Sequence, residues 1–488
     1  MLYRSVIHTA AHEFFRGASL ARVRIFRHYF YMPYMVLGLL DAAFIFAACY
    51  LAIYFEYFQM TDYFKAYALE VVSAPILFTV VNFTAITALG VYPAKLTEGM
   101  TGMMLRTIIS ILAATLFIGF IVYVFSPVFW ALERGVLELA SLLSIFILGL
   151  WRLIFFFFVR EQYFKRQVLV LGAGKRAADL IHELAEPSSR QGVSLIGFVT
   201  SNGDEVHIGE ENHIFTPESL SEYCKTHPVD EIVIALDDRR KKLPLEELLE
   251  CKMFGVNIID AASFIEREVR KVALDLIQPS WMIYSDGFGG VSATQFVKRI
   301  FDVAASLVLL LVSWPIMLLT AIAIKIEDGI KAPVFYLQER VGLNGKPFNV
   351  IKFRSMGTDA EKSGAVFAQK NDVRVTKVGA FVRKVRIDEL PQILNVLKGD
   401  MAFVGPRPER PVFVKQLAKN ISYYNERHRV KPGITGWAQL CFAYADNEED
   451  TKEKLRYDLY YIKNQSLLLD LIVLVQTAEV ILFKKGSR

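Results

Sequence analysis

Cysteine is scarce in this chain of 488 residues, and its placement gives no sign of metal or redox chemistry. Cys49, Cys224, Cys251 and Cys441 fall in no CxxC pair and no metal-ligand spacing, so they read as reduced and structural. A small-residue cleavage pattern is missing from the N-terminus, where Arg16, Arg22, Arg24 and Arg27 lead directly into a long apolar run. No cleavable signal peptide is expected. A strong charge of one sign is missing too: the whole chain carries only +5, and no nucleic-acid partner is expected.

What is present is apolar. Hydrophobic residues make up 53% and the mean hydropathy is +0.34, too high for an ordinary soluble protein and too low for a pure transporter. A membrane part joined to a soluble part accounts for this, and the length suggests three modules. Four runs can cross about 30 Å of hydrocarbon as helices: Pro33–Phe55, Val71–Val91, Thr107–Phe125 and Leu139–Val159. Basic residues precede the first, Lys95 and Arg106 flank the second loop, and Arg160, Lys165 and Arg166 follow the fourth. The other two loops hold only Lys65 and Arg134 as cations, so both ends of this domain, residues 1–160, are expected to face the cytoplasm. Arg152 inside the fourth run is an anomaly, read as snorkelling or as facing a neighbouring helix.

A fifth run, Val303–Ile324, has no charged residue. Lys298 and Arg299 precede it, Lys325 and Lys331 follow it, and Pro315 lies near its middle. Cations on both flanks favour both ends on one side, and an interior proline breaks a helix. The expectation is a re-entrant helix over 301–326, broken at Pro315; a fifth span with a proline kink is the alternative. The last apolar run, Ser466–Phe483, is interrupted by Asp470 and Glu479 and reads as an interfacial or packed helix.

Between the membrane runs, 165–265 reads as a Rossmann-like α/β domain, followed by a linker over 266–297. Strand-like segments at Val168–Leu171, Ser194–Val199, Glu231–Leu236 and Val256–Ile259 alternate with helical patterns at Ala177–Ala185, Pro217–Lys225 and Leu243–Met253. The turn Gly172-Ala173-Gly174 opens a helix, which makes Gly172 and Gly174 candidates for approaching a nucleotide phosphate. The acidic residue that usually ends the second strand of a dinucleotide site is missing: Val199 is followed by Thr200-Ser201-Asn202. A structural or regulatory role, including dimerisation, is the alternative.

Charge concentrates further on. From Gln338 to Leu440 there are 19 Lys and Arg against 9 Asp and Glu, with the pair Asp388-Glu389 in their midst. Such a region suits a polyanionic substrate, on which the pair could act as nucleophile, base or metal ligand. The neighbouring motifs are dense. They include Lys298-Arg299-Ile300-Phe301-Asp302, Glu339-Arg340-Val341-Gly342, Lys352-Phe353-Arg354-Ser355-Met356, and Arg383 ahead of Asp388-Glu389-Leu390-Pro391-Gln392. Val404-Gly405-Pro406-Arg407-Pro408, Lys431-Pro432-Gly433 through Gln439, and Tyr457 through Tyr461 follow. In this order, from Lys298 to about Phe483, they closely resemble the bacterial sugar transferase family, the monotopic-type phosphoglycosyl transferases that begin exopolysaccharide, capsule and O-antigen units. Four helices and an α/β module ahead of this domain resemble its long-form members. The segment Gln278–Phe288 is similar to the exosortase-associated exopolysaccharide branch.

The resemblance implies an α+β catalytic domain over 298–488 and transfer of a hexose 1-phosphate from a UDP-sugar to undecaprenyl phosphate, with UMP released. It implies Asp388 as nucleophile through a phosphosugar-aspartyl intermediate, and Glu389 beside it holding Mg²⁺. The residues themselves agree. Pro391 belongs in a first helical turn, so Asp388 or a neighbour is expected to cap a helix through Leu397. Lys352, Arg354, Arg383 and Arg407 are the cations expected on substrate phosphate. Lys298, Arg299 and Lys331 are expected against anionic lipid instead. His428 reads as surface rather than base, and Trp437 as a stacking platform for uracil or an interfacial anchor. A homodimer is the default assembly. Two rivals stand: a membrane-anchored nucleotide-sugar dehydratase, which needs a Tyr-x-x-x-Lys pair found nowhere here, and a non-catalytic assembly scaffold.

Overall fold

The computed structural model describes residues 22–25, 28–57, 68–89, 91, 99–124, 132, 134–158, 165–185, 193–200, 205–209, 213–238, 243–276, 292–357, 374–442 and 447–483. The segment 278–288 singled out above lies outside them. Two units emerge, residues 1–276 with 478–488, and residues 277–477.

The first unit opens with an antiparallel pair, β1 (Arg22–Ile25) and β2 (His28–Tyr31). Helices α1 (Met32–Glu56), α2 (Ala68–Ala88), α3 (Gly99–Val124) and α4 (Arg134–Phe158) follow, each long enough at about 1.5 Å per residue to reach across a bilayer core. They close a ring: α1 and α3 each pack on α2 and α4. Leu37, Ile45, Phe78, Ile111, Ile118 and Leu148 fill its centre, while Leu39, Leu116, Phe120 and Phe146 face outward. The anomalous Arg152 does not snorkel. Its guanidinium grips Asp41 of α1 through two bonds, Nη1–Oδ1 at 2.8 Å and Nη2–Oδ2 at 2.6 Å, with both side chains fully buried.

The sheet of the middle module is parallel in the order β5-β4-β3-β6-β7. Its elements are β3 (Arg166–Leu171), α5 (Lys175–Glu183), β4 (Val193–Val199), β5 (Ile214–Phe215), α6 (Leu220–Thr226), β6 (Glu231–Ile234), α7 (Leu245–Met253), β7 (Asn257–Asp260) and α8 (Ala261–Val269). Alternation decides the layers. Val168, Val170 and Val233 turn toward Ala177, Leu180 and Phe264 of α5 and α8, and Leu169, Leu171 and Ile232 toward Leu220, Leu248 and Cys251 of α6 and α7. The expected linker therefore starts late. Val269, Ala273 and Leu276 pack into this core, and Arg267 and Glu268 are buried in an ion-pair cluster with Glu231 and Arg166.

The glycine turn at the strand-order reversal is shaped as expected, but its anion is internal. Gly172 has φ +120, and a Cβ there would lie 2.6 Å from Ala235 O. Beyond Gly174 the amides of Lys175 and Arg176 donate to Asp237 Oδ2 and Oδ1, each at 2.9 Å, and a Cβ on Gly174 would lie 2.0 Å from that carboxylate. The position proposed for a nucleotide phosphate at Gly172 and Gly174 thus holds the side chain of Asp237, three residues beyond the end of β6.

In the second unit, α9 (Ser292–Asp328) is one helix of 37 residues. Pro315 lies inside it, so helical backbone runs through the position of the expected break, where a proline can kink a helix without ending it. A proline removes one hydrogen bond, and in apolar surroundings the other backbone groups find no better partners than each other. Then come the hairpin β8 (Phe335–Val341) and β9 (Pro347–Phe353), α10 (Lys377–Lys384), α11 (Gln392–Lys398), β10 (Ala402–Val404), α12 (Pro411–Asn420) and β11 (Gly433–Thr435), which pairs parallel with β10. Short α13 (Trp437–Cys441), α14 (Glu448–Lys463) and α15 (Leu467–Phe483) complete the chain. Among the described residues four stretches are long and apolar enough to cross a membrane, namely Met35–Glu56, Gly102–Tyr123, Gly135–Phe155 and Gln295–Asp328; the apolar part of α2, Val72–Ala88, is shorter.

Breaking the buried Asp41–Arg152 pair from one side should be costly, because an uncompensated charge stays in the bundle. Asp41→Ala or Arg152→Ala is expected to destabilise by about 3–5 kcal/mol, and Asp41→Leu with Arg152→Leu by much less, in thermal unfolding of detergent-solubilised protein.

Candidate active site

The stretch before Asp388 turns sharply. Helix α10 ends at Lys384, Arg386 takes the left-handed conformation at φ 60 and ψ 18, and Ile387–Glu389 forms a single 3₁₀ turn. Pro391 then precedes α11 as expected of a residue that cannot donate, but no side chain caps that helix. Asp388 is therefore free of the expected capping role. Its Oδ1 is buried and has no hydrogen-bond partner.

Four cations converge on the pair. Arg407 Nη2 lies 3.6 Å and Arg386 Nη1 3.8 Å from Glu389 Oε1. Lys352, near the end of β9, bears electrostatically on both carboxylates, and Arg383 on Asp388. Burial pushes the Asp388 carboxyl above its ordinary value and neighbouring Glu389 adds to this, against Lys352, Arg383 and Arg386. Burial acts the same way on Glu389, but Arg407, Lys352 and Arg386 outweigh it and hold that carboxylate below its ordinary value. Burial, with Arg407 beside it, drops the Lys352 ammonium to about 8. Two adjacent carboxylates are thus driven apart: Glu389 is held in its ionised form, whereas Asp388 is the more basic of the two.

Arg407 sits on a clamped loop. A Cβ on Gly433 would lie 2.1 Å from Gly405 N, so only glycines let β10 and β11 approach so closely. Gly433 N donates to Pro406 O at 3.0 Å, Arg427 Nη2 to Arg407 O at 3.0 Å, Arg340 Nη1 to Pro408 O at 3.0 Å, and Val341 N to Glu409 O at 2.9 Å. Arg427 is itself buried against Asp458 at 2.8 Å and Tyr424 Oη at 2.9 Å. With its carbonyls held, the loop presents the Arg407 side chain at little entropic cost.

Other expected site residues fall elsewhere. Arg354 pairs with Asp328 at the end of α9 (2.6 Å), its Nε and Nη1 buried without partners, and no bond joins it to Asp388 or Glu389. Lys298 and Arg299 do not face lipid. Lys298 is buried, pairs with Asp470 and donates to Val404 O at 3.1 Å; Arg299 Nη2 donates to Leu397 O at 2.6 Å, closing the end of α11. Asp470, which looked like an interruption of an apolar run, is that lysine's counter-ion. Trp437 is buried against Tyr460, at 6.1 Å between centroids, and is neither stacking platform nor interfacial anchor. Arg386, Arg340, Arg427 and Asp458 carry parts of the site to which sequence reasoning gave no role. Arg340 and Asp458 lie inside quoted motifs, and Arg386 stands two residues before Asp388.

Metal chemistry can be tested against these donors. Among the described residues no three His, Cys, Asp or Glu side chains converge to hold an ion. Two adjacent carboxylates, one with an orphaned buried oxygen, still fit Mg²⁺, which takes few protein ligands and completes its shell with water and substrate phosphate.

Residues 293–484 match the model of the bacterial sugar transferase family, and residues 87–259 that of a CoA-binding domain. A UDP-glucose:undecaprenyl-phosphate glucose-1-phosphate transferase of Xanthomonas campestris pv. campestris is 31% identical over 332 residues, 66% of this chain and 68% of that protein. The chain belongs to the bacterial sugar transferase family. A UDP-N-acetylgalactosamine-undecaprenyl-phosphate N-acetylgalactosaminephosphotransferase of Aeromonas hydrophila is 49% identical over 193 residues, 40% of this chain but only 45% of that relative. An uncharacterized sugar transferase of Bacillus subtilis is 41% identical over 194 residues, 89% of its own length, so it consists almost wholly of the matched module.

His428 lies outside the cluster, and burial with Arg427 beside it lowers the imidazole to about 4. The unfolded chain then binds more protons between pH 6.5 and 4, so stability should fall as pH drops through that window. His428→Gln is expected to flatten this fall in melting temperature while leaving the activity profile between pH 6 and 8 unchanged.

Proposed function

We propose that the chain transfers a sugar 1-phosphate from a UDP-sugar to undecaprenyl phosphate, releasing UMP, as an initiating step of exopolysaccharide synthesis. The observation that carries this reading is the Asp388-Glu389 pair, with its orphaned carboxylate oxygen, enclosed by Lys352, Arg383, Arg386 and Arg407 within a family module. An Asp388 oxygen attacks the sugar-linked phosphorus, the bond to the bridging oxygen breaks, and UMP leaves with the electron pair. An oxygen of the lipid phosphate then attacks the same phosphorus, freeing Asp388 and leaving a lipid diphosphate sugar. Arg407 and Lys352 offset the phosphate charge that would otherwise repel the ionised nucleophile. Mg²⁺ held by Asp388 and Glu389 would supply further neutralisation of the diphosphate.

The proposed setting is the cytoplasmic face of a bacterial inner membrane, in a homodimer, with α9 re-entrant. Support for re-entry comes from both ends of α9. Lys298, Arg299 and Asp302 are bound to residues 396–404, while Met317, Ala321 and Ile324 pack with Phe353, Val382 and Ile387. A straight helix would hold Arg299 and Ile324 about 37 Å apart. The segments they grip touch, with Ile351 N donating to Asn395 Oδ1 at 2.9 Å. The middle of the helix, including Leu307, Leu311 and Val312, is exposed and apolar, as lipid contact requires.

In purified protein supplied with UDP-sugars, Mg²⁺ and undecaprenyl phosphate, lipid-dependent UMP release is expected, and Asp388→Asn should reduce it by about a thousandfold or more. Release that survives the change would remove Asp388 as nucleophile. Topology has its own check. In a Cys441→Ser background, Lys225→Cys and Lys346→Cys should both react with an impermeant maleimide only from the cytoplasmic face. Labelling of Lys346→Cys from the opposite face would rule out re-entry.

A further inference from the structure

We infer that Arg386 is a substrate-contacting residue that binds the donor's diphosphate, in addition to the motif cations Lys352, Arg383 and Arg407. This rests on the transferase reading above. Three observations carry it. Arg386 occupies the left-handed region at φ 60, which a residue with a Cβ adopts at a cost, and it does so at the pivot between α10 and the turn that holds Asp388. That backbone directs its guanidinium back over the turn, to 3.8 Å from Glu389 Oε1, too far for a hydrogen bond. The side chain remains 59% exposed, so nothing buries it in that position. A bland surface ion pair does not require a strained residue two positions from the nucleophile.

Charge matching points the same way. Arg386 and Arg407 approach the same oxygen of Glu389, at 3.8 and 3.6 Å. Four cations around two carboxylates leave positive charge in surplus before any metal binds, which suits the diphosphate of a nucleotide sugar. An exposed guanidinium 3.8 Å from its carboxylate neighbour is poised to exchange that partner for phosphate oxygens, to which arginine donates bidentately.

The left-handed backbone supplies a clean probe, because glycine takes that conformation without strain. In nanodiscs, the full chain and its Arg386→Gly and Arg386→Lys variants would be compared for UDP binding, melting temperature, and KM for UDP-glucose or UDP-N-acetylgalactosamine and for undecaprenyl phosphate. Arg386→Gly is expected to melt no lower than the parent, to weaken UDP binding, and to raise the donor KM by about tenfold, equivalent to one charge-assisted contact. The KM for the lipid should stay within about twofold, and lysine should be intermediate. An unchanged donor KM and UDP affinity, or a rise confined to the lipid KM, would overturn the assignment. If no donor yields UMP with the parent chain, the transferase reading fails; UDP binding by the parent and the glycine variant still decides whether Arg386 holds a diphosphate.

Discussion

A long apolar helix with charges at both ends must satisfy those charges without moving its middle out of lipid. In α9 the charges are Lys298, Arg299 and Asp302 at the start and Lys325, Glu327 and Asp328 at the end, and none is spent on solvent alone; Lys325 donates to Ile330 O. Lys298 is buried against Asp470 and Val404 O, Arg299 closes α11, and Asp302 accepts from Phe403 N. Glu327 accepts from the first two amides of α10 at 2.8 and 2.9 Å, and Asp328 pairs with Arg354. The helix thereby sets the start of α10, the end of α11 and the strand leading to Arg407, which are the three supports of the Asp388 turn. An apolar anchor is thus also the frame of the Asp388 turn, which in the proposed reaction would hold the nucleophile near the lipid surface.

Electrostatics then separates the roles of two neighbouring carboxylates. Glu389 sees Arg407, Lys352 and Arg386 and stays ionised. Asp388, desolvated and repelled by Glu389, keeps a more basic oxygen with nothing bonded to it. Attack on an anionic phosphorus needs both properties in one site: cations that accept the substrate charge, and a carboxylate that is not fully quenched by them.

Much of this was legible in the sequence. Apolar runs marked the bundle helices and α9, alternation marked β3, β4 and β6, and the motif order from Lys298 onward marked the family. What stayed hidden were side-chain partners far apart in the chain. A cation flanking an apolar run reads as a lipid contact whether or not an Asp470 waits 172 positions away. Arg152 looked anomalous because its partner Asp41 lies in a different span, 111 positions away. Arg354 shares a motif with Lys352, yet the paired strand sends them to different partners, Asp328 for one and the Asp388 cluster for the other. Asp237 was invisible as the occupant of the Gly172–Gly174 turn because the link between β3 and β6 is made only by folding.

The most direct test is a single-turnover experiment on the purified chain with UDP-sugar and Mg²⁺ but no lipid acceptor, read by UMP release and by intact mass. A burst of about one UMP per active site, with a sugar-phosphate mass added at Asp388 and discharged by undecaprenyl phosphate, is the expected result. No UMP before the lipid is supplied, and no added mass at any time, would contradict a nucleophilic Asp388 and require direct attack by the lipid phosphate.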